Sequence, residues 1–293
     1  MEERNAERNC TEPLFGEEIT VSKLVEIFRD VGIENAGFEV KVLFGRFGGL
    51  PKNVMIFNND KSSESALFAA AQRRLDGEPL DYILGDSAFY RETYIVSPAV
   101  LIPRQDTEIL VDYAVKNIPE GGRFLDLCTG SGCIAISTLR NTKNTSAIAV
   151  DISPAAVEIA LKNKDRYKAE LEGRLDIVCA DALAFNTNEK FDAILSNPPY
   201  IVENVYESLQ KEVKREPKIA LVGGGADGAD FYRDITSRYK DRLKPGGFIA
   251  YEIGYDQAAP LYEIAEREGM SCQIIKDYCG NDRVAVLKIK STN

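Results

Sequence analysis

Phe124-Leu125-Asp126-Leu127-Cys128-Thr129-Gly130-Ser131-Gly132-Cys133-Ile134-Ala135 decides the fold. A short apolar run of strand length meets a glycine-rich turn, and an apolar stretch of helical length follows. Gly130 and Gly132 admit φ values that other residues resist and let the backbone come close to a ligand. The helix N-terminus beyond them favours a negative group such as a carboxylate. Strand, glycine turn and helix make the first unit of an α/β sheet.

Outward from this unit the chain keeps alternating. Ala147–Val150 reads as a strand and Pro154–Leu171 as a helix with proline in its first turn. Leu175–Val178 and Ala193–Leu195 read as strands, Ala229–Leu243 as a helix, Phe248–Tyr251 as a strand and Gln257–Glu268 as a helix. Cys272–Ile275 and Val284–Ile289 close the chain as an antiparallel pair. Such alternation specifies a doubly wound, mainly parallel sheet, here of seven strands.

The N-terminal part has another period. Residues 1–18 are charged and aperiodic, a frayed tail. Val21, Leu24, Val25 and Phe28 have helical spacing, ended by Gly32; Ala36–Phe47 is a second helix stopped by Gly48-Gly49 and Pro51. Ser62 or Ser63 can cap a third, with Leu67, Phe68, Ala71 and Leu75 on one face and Gly77 at its end. Tyr82–Gly85, Ala88–Tyr90 and Tyr94–Val96 are short β-like runs, a hairpin linker, and Thr107–Ile118 is helical again. The division is 1–80 a small helical bundle, 81–104 a β-hairpin linker and 105–293 the α/β domain.

The 293 residues carry a net charge of −10, acidic in both halves, where a nucleic-acid binder shows a basic footprint. No apolar run approaches the ~20 residues that span a membrane, and the polar start, Met1-Glu2-Glu3-Arg4-Asn5, is not a signal peptide. The six cysteines are scattered without a Cys-x-x-Cys pair, which argues against disulfides and zinc and for a reducing cytoplasm. There is no histidine. That removes the commonest general base, the commonest metal ligand and every Ser-His or Cys-His nucleophile. No metal is expected.

The ordered set of strand, glycine turn, helix, strand and acid points to an adenosine cofactor. Cys128, Thr129, Gly130, Ser131 and Gly132 form the turn. Asp151, with Ile152 beside it, ends the next strand, where an acid accepts both hydroxyls of a ribose. Asp181 and Ala182, after the third strand, sit where an adenine edge lies. Each piece has a plainer reading, since Asp126 or Asp151 can simply cap the helix that follows. Gly130-x-Gly132-x-x-Ala135 also fits a dinucleotide fingerprint. A dehydrogenase would lack a histidine here, whereas Asp126 can help hold the ammonium group of S-adenosylmethionine, which a dinucleotide does not have.

After the fourth strand comes Asn197-Pro198-Pro199-Tyr200. Two prolines cannot continue a sheet ladder, so a rigid corner ends the strand. Carboxyl ends of strands are where α/β sheets bind ligands. A stiff corner with acceptors there suits a planar NH₂ group. Asn197 and the Pro198 carbonyl each accept one N–H, Pro199 stiffens the corner, and Tyr200 packs on the amide and excludes water. Asn197 also closes the methyl end of the cofactor site.

Asp126-x-Cys-x-Gly-x-Gly, Asp151 and Asn-Pro-Pro-Tyr, in that order, resemble the S-adenosylmethionine-dependent amino-methyltransferases. More narrowly, Leu101–Glu108, Glu216-Pro217-x-x-Ala220-Leu221, Gly224-Gly225-x-Asp227-Gly228 and Asp277–Val284 are similar to motifs of the release factor glutamine methyltransferases, and Pro79-x-x-Tyr82-Ile83-Leu84-Gly85 to their linker. The resemblance covers about 79–290. It implies a Rossmann-like methyltransferase fold and transfer of a methyl group to N5 of the glutamine in the Gly-Gly-Gln motif of peptide chain release factors, leaving S-adenosylhomocysteine. It also implies a substrate-recognising role for the bundle and a monomeric, cytoplasmic enzyme without direct nucleic-acid contacts. Cys128 departs from the wider pattern, which has glycine, and Ala182 stands where some relatives carry a tryptophan beside the adenine. The alternative is an adenine-N6 or guanine-N2 nucleic-acid methyltransferase with the same corner. Lys211, Lys214, Arg215 and Lys218 form a basic cluster, read as a solvated face. Gly223-Gly224-Gly225 reads as a flexible connector or lid hinge, and Arg104 as a pocket wall or an anchor of the linker.

Overall fold

Why the chain alternates becomes visible in a computed structural model, which describes residues 17–50 and 55–290. These divide into two compact units between Leu84 and Gly85. The expected frayed tail, but for Glu17 and Glu18, and the Pro51 stop lie outside the described residues.

The first unit contains β1 (Ile19–Thr20), α1 (Val21–Asp30), α2 (Ala36–Phe47), β2 (Lys61–Ser62), α3 (Ser65–Leu75) and α4 (Leu80–Leu84). The Thr20 hydroxyl caps α1 by accepting from the Lys23 N–H at 3.2 Å. Val21, Leu24, Val25 and Phe28 then point to one side and pack with Val40, Leu43 and Phe44 of α2 and Leu67 and Ala71 of α3. Two expectations are corrected here. Ser62 does not cap α3: it is buried in β2 and its hydroxyl donates to the Gly48 carbonyl at 3.1 Å, leaving Glu64 before the helix. The run at Tyr82 is helical, not β-like. The Pro79 carbonyl accepts from the Tyr82 and Ile83 N–H groups, and proline's fixed φ suits a helix start.

The second unit begins with the antiparallel pair β3 (Asp86–Phe89) and β4 (Glu92–Ile95), followed by α5 (Glu108–Asn117), β5 (Arg123–Leu127), α6 (Cys133–Arg140), β6 (Ser146–Asp151), α7 (Pro154–Arg166), α8 (Lys168–Leu171) and β7 (Leu175–Cys179). Then come β8 (Phe191–Ser196), α9 (Glu203–Tyr206), α10 (Asp230–Tyr239), β9 (Leu243–Glu252), α11 (Ala258–Arg267), β10 (Met270–Lys276) and β11 (Asp282–Ile289). Seven strands form one sheet in the order β7-β6-β5-β8-β9-β11-β10. β7, β6, β5, β8 and β9 run parallel, while β11 is antiparallel to both its neighbours. The helix expected over 154–171 is broken at Tyr167, whose hydroxyl donates to the Thr93 carbonyl at 2.8 Å and whose ring lies under Arg140. The helix expected over 229–243 ends at Tyr239, and Leu243 already belongs to β9.

Residues alternate between two apolar layers on the sheet's faces. Phe124, Ala147, Ala193 and Phe248 belong to one layer; Leu125, Ile148, Ile194 and Ile249 belong to the other. From β5 the chain moves to β6 and β7 on one side and returns to β8 on the other. The strand order therefore reverses between β5 and β8, and a crevice opens at their carboxyl ends. Leu127 is paired with Val150 on one side and with Ser196 on the other, which brings the glycine turn, Asp151 and the double-proline corner to one edge.

Candidate active site

A cavity of about 240 Å³ fills that crevice. Its wall includes Cys128, Thr129, Gly130, Ser131, Asp151, Ile152, Asp181, Ala182, Asn197 and Pro199, all expected at the site. Asp126, Gly132, Pro198 and Tyr200 were expected too but are not on the wall.

The turn after β5 begins at Cys128, with φ of +60°. That left-handed conformation costs a side chain roughly 1–2 kcal/mol, a physical reason for glycine at this position. Gly130, at φ +55°, has nothing within 4 Å of where a Cβ would point. Its N–H donates to Asp151 at 2.8 Å, and the other Asp151 oxygen accepts from the Ser153 N–H at 2.9 Å. Asp151 is not the helix cap, since the Ser153 hydroxyl accepts from the Ala156 N–H and fills that role. A carboxylate has about four acceptor positions, so Asp151 keeps capacity on the cavity side. Burial raises its pKa, against the Ser153 and Gly130 N–H groups that favour the charged form.

Asp126 has one buried carboxyl oxygen without a hydrogen-bond partner among the described residues. It is 0% exposed beneath the turn, with the other carboxyl oxygen accepting from the Thr129 hydroxyl at 2.5 Å. Burial pushes its pKa up to about 7, although the Thr129 hydroxyl opposes the shift. Asp126 supports the turn from behind. Gly132, at φ +82°, sits where α6 and α7 come together: a Cβ there would lie 3.3 Å from Ile136 and 3.4 Å from Ala160.

At the end of β8 the Ser196 hydroxyl donates to the Leu127 carbonyl at 2.7 Å, stitching the corner to the glycine turn. Asn197 follows, half-buried on the cavity wall. Among the described residues neither its side-chain amide nor the Pro198 carbonyl has a hydrogen-bond partner. Tyr200 is not among the residues of the cavity wall. Its hydroxyl donates to Glu252 at 3.3 Å and its carbonyl accepts from Gln257 at 3.1 Å.

The run Gly223–Gly225 is not simply a flexible connector. Ile201 donates to the Leu221 carbonyl at 2.8 Å and Gly223 donates to the Ile201 carbonyl at 3.0 Å, so the segment is strapped to the corner. A Cβ on Gly223 would lie 2.2 Å from the Pro199 carbonyl oxygen, and one on Gly228 would lie 2.1 Å from that of Tyr200. Only glycine allows backbone to approach so closely.

The outlying motifs converge on the same place. Buried Glu216 accepts from the Ile102 N–H at 2.9 Å and pairs with Arg104, which lies on the cavity wall. Arg283 pairs with Asp106 at 3.2 Å and Asp277 at 3.4 Å. The Thr107 hydroxyl donates to Glu252 at the end of β9. Burial raises the Glu252 pKa, opposed by Thr107 and Arg283. Sequence reading missed Glu252, although it ends a buried strand as Asp151 ends β6; it also missed Gln257, which no local pattern marks.

In the basic cluster Lys214 lies 3.7 Å from Glu207 and Lys218 pairs with Glu203, so these charges are met by acids on the same surface. Among the described residues no cluster of three or more His, Cys, Asp and Glu side chains is arranged to hold a metal ion, and no helix is long and apolar enough to cross a membrane.

The cavity suits an adenosine sulfonium. Ile152, Ala182, Leu183 and Phe231 offer an apolar wall, Asp151 and Asp181 stand at strand ends, and the buried Ser131 hydroxyl on the wall has no protein partner among the described residues.

Comparison with known proteins bears on the whole chain. A family model described as Methyltransferase small domain matches residues 105–226, and one described as PrmC N-terminal domain matches 21–85. A release factor glutamine methyltransferase of Geobacter sulfurreducens is 37% identical over 278 residues, covering 90% of this chain and 95% of that protein. One of Clostridium acetobutylicum is 42% identical over 233 residues, covering 78% of this chain and 81% of that protein. The solved hMettl16 catalytic domain, in complex with a MAT2A 3'UTR hairpin, shares the fold with a TM-score of 0.54 at 14% identity, covering 76% of this chain and 79% of that one.

Proposed function

The chain belongs to the release factor glutamine methyltransferase family, and from that premise we propose how its residues divide the work of methylating the Gly-Gly-Gln glutamine of peptide chain release factors at N5. S-adenosylmethionine, when bound, supplies an electrophilic methyl group on sulfonium. Asp151 accepts the ribose hydroxyls, and Asp181 with Ala182 and Leu183 borders the adenine. Asp126 holds the glycine turn in shape.

The carrying observation is that, among the described residues, neither the Asn197 side-chain oxygen on the cavity wall nor the adjoining Pro198 carbonyl has a hydrogen-bond partner. An amide nitrogen is a poor nucleophile because its lone pair is delocalised into the carbonyl. Two acceptors grip both N–H bonds and favour a pyramidal nitrogen whose lone pair is aligned for attack. The N-methylated amide is strongly acidic before it loses its proton, so no dedicated base is needed, in keeping with a chain without histidine. Tyr200 holds the corner from behind through Glu252.

The first unit serves as the substrate-recognising module, the hairpin as the linker, and the enzyme acts as a monomer in the cytoplasm. The acid-paired lysines after the corner favour a protein substrate over nucleic acid.

Asn197→Ala tests the assignment. Turnover on release factor should fall at least about 100-fold, while calorimetry finds cofactor affinity within about twofold of wild type. Full turnover would falsify the role of Asn197. Methyl label appearing on DNA or RNA instead of release factor would overturn the substrate.

A further inference from the structure

We propose that Gln257 is a positioning residue that sets the path of the Asn197–Tyr200 corner. Gln257 is buried, 6% exposed, just before α11. Its amide has four hydrogen-bonding contacts. The oxygen accepts from the Gly254 N–H at 2.9 Å and shares the Tyr232 hydroxyl, 3.2 Å away, with the Glu252 carbonyl, which lies 3.0 Å from that hydroxyl. The nitrogen donates to the Tyr200 carbonyl at 3.1 Å and the Asp227 carbonyl at 3.0 Å. One planar group thereby ties the corner to the strap that ends at Gly228, to α10 and to the turn after β9.

The geometry gives this clamp leverage on the chemistry. Tyr200 follows Pro199 directly, and of the four soft torsions between the Tyr200 and Pro198 carbonyls the proline ring fixes one, φ of Pro199. A shift of Tyr200 is therefore absorbed less readily before it reaches the Pro198 acceptor than it would be through an ordinary residue. Tyr200 is held at both ends, its hydroxyl by Glu252 and its carbonyl by Gln257. Gly228 lies so close that a Cβ there would also meet the Gln257 nitrogen at 2.9 Å, so the clamp has no slack. No other side chain donates to the Tyr200 carbonyl among the described residues.

The inference rests on the corner being the site of methyl transfer. The test compares full-length Gln257→Glu, Gln257→Met and Asn197→Ala with wild type, using release factor and S-adenosylmethionine for turnover and S-adenosylhomocysteine for calorimetry. Glutamate turns two donors into acceptors aimed at carbonyl oxygens; methionine has similar volume and removes all four contacts. The expected order of kcat is wild type, then Gln257→Met, then Gln257→Glu, with Gln257→Glu down on the order of 100-fold. Product affinity and KM for release factor should stay within about threefold. Unchanged kcat in both Gln257 variants, or affinity falling in step with kcat, overturns the positioning role. If Gln257→Glu does not accumulate as folded protein, Gln257→Met decides alone. Active Asn197→Ala would reject the corner itself, whereas inactive Asn197→Ala beside fully active Gln257 variants rejects only the clamp.

Discussion

Gly223→Ala isolates the effect of backbone approach on turnover. Gly223 is buried and does not have a positive φ, so alanine adds no dihedral strain there. Its Cβ would lie 2.2 Å from the Pro199 carbonyl oxygen and 2.7 Å from the Tyr200 Cα, both backbone atoms that no rotamer change can move. Ordinary contact begins at 3.4 Å, so restoring it from 2.2 Å requires about 1.2 Å of movement. The corner takes up that movement, because the strap is held on both sides of Gly223, by the Leu221–Ile201 bond and by Gln257 at Asp227. Misplacing reacting groups by ~1 Å costs on the order of 100-fold in rate, or about 2.7 kcal/mol of barrier. The control is Gly246→Ala. It has φ of +79° and open space around its Cβ, on the exposed start of β9. It should lose roughly 1–2 kcal/mol of stability and keep its kcat. Single-turnover methyl transfer and thermal melts on both variants are the assay. Gly223→Ala with kcat within about threefold of wild type refutes the reasoning, since the strap would then have yielded without disturbing the corner.

Two further predictions concern the cofactor side. Asp151→Ala removes the acceptor proposed for the ribose and leaves the Gly130 and Ser153 N–H groups unmet; cofactor affinity should weaken by about 1–3 kcal/mol by calorimetry, and unchanged affinity removes Asp151 from that role. Asp126 has a folded pKa of about 7 against an ordinary value of 3.8, so between these the native state binds more protons than the unfolded chain. Its contribution to stability therefore falls as pH rises through that window, by up to about 1.4 kcal/mol per unit, and is constant above it. Asp126→Asn does not titrate; urea unfolding at pH 5, 6, 7 and 8 should show the variant gaining on wild type up to about pH 7. A pH-independent difference between the two would contradict the raised pKa.

The legible part of this protein was local. The α1 face follows from residues three and four apart on a helix, and the apolar runs of β5 and β8 follow from burial on both faces of a parallel sheet. Glycines at 130 and 132 and prolines at 198 and 199 restrict or free backbone torsions wherever they occur, so the turn and corner could be read from the chain alone. Two-residue β1 and β2 have no period to read, and Tyr82–Gly85 is too short for its β-rich composition to outweigh the turn that Pro79 starts.

The sequence by itself determined the order of strand, turn and corner, and with it the edge of the sheet where the chemistry lies. Only the tertiary structure decided which polar groups reach the cavity. Asp126 is the last residue but one of β5 and Asp151 the last of β6, yet one is sealed beneath the turn and the other lines the wall. Glu252 and Gln257 lie far along the chain from Tyr200 and meet it only because β9 pairs beside β8. Torsional preferences are carried by each residue, whereas hydrogen-bond partners distant in sequence are chosen by the packing of the whole sheet.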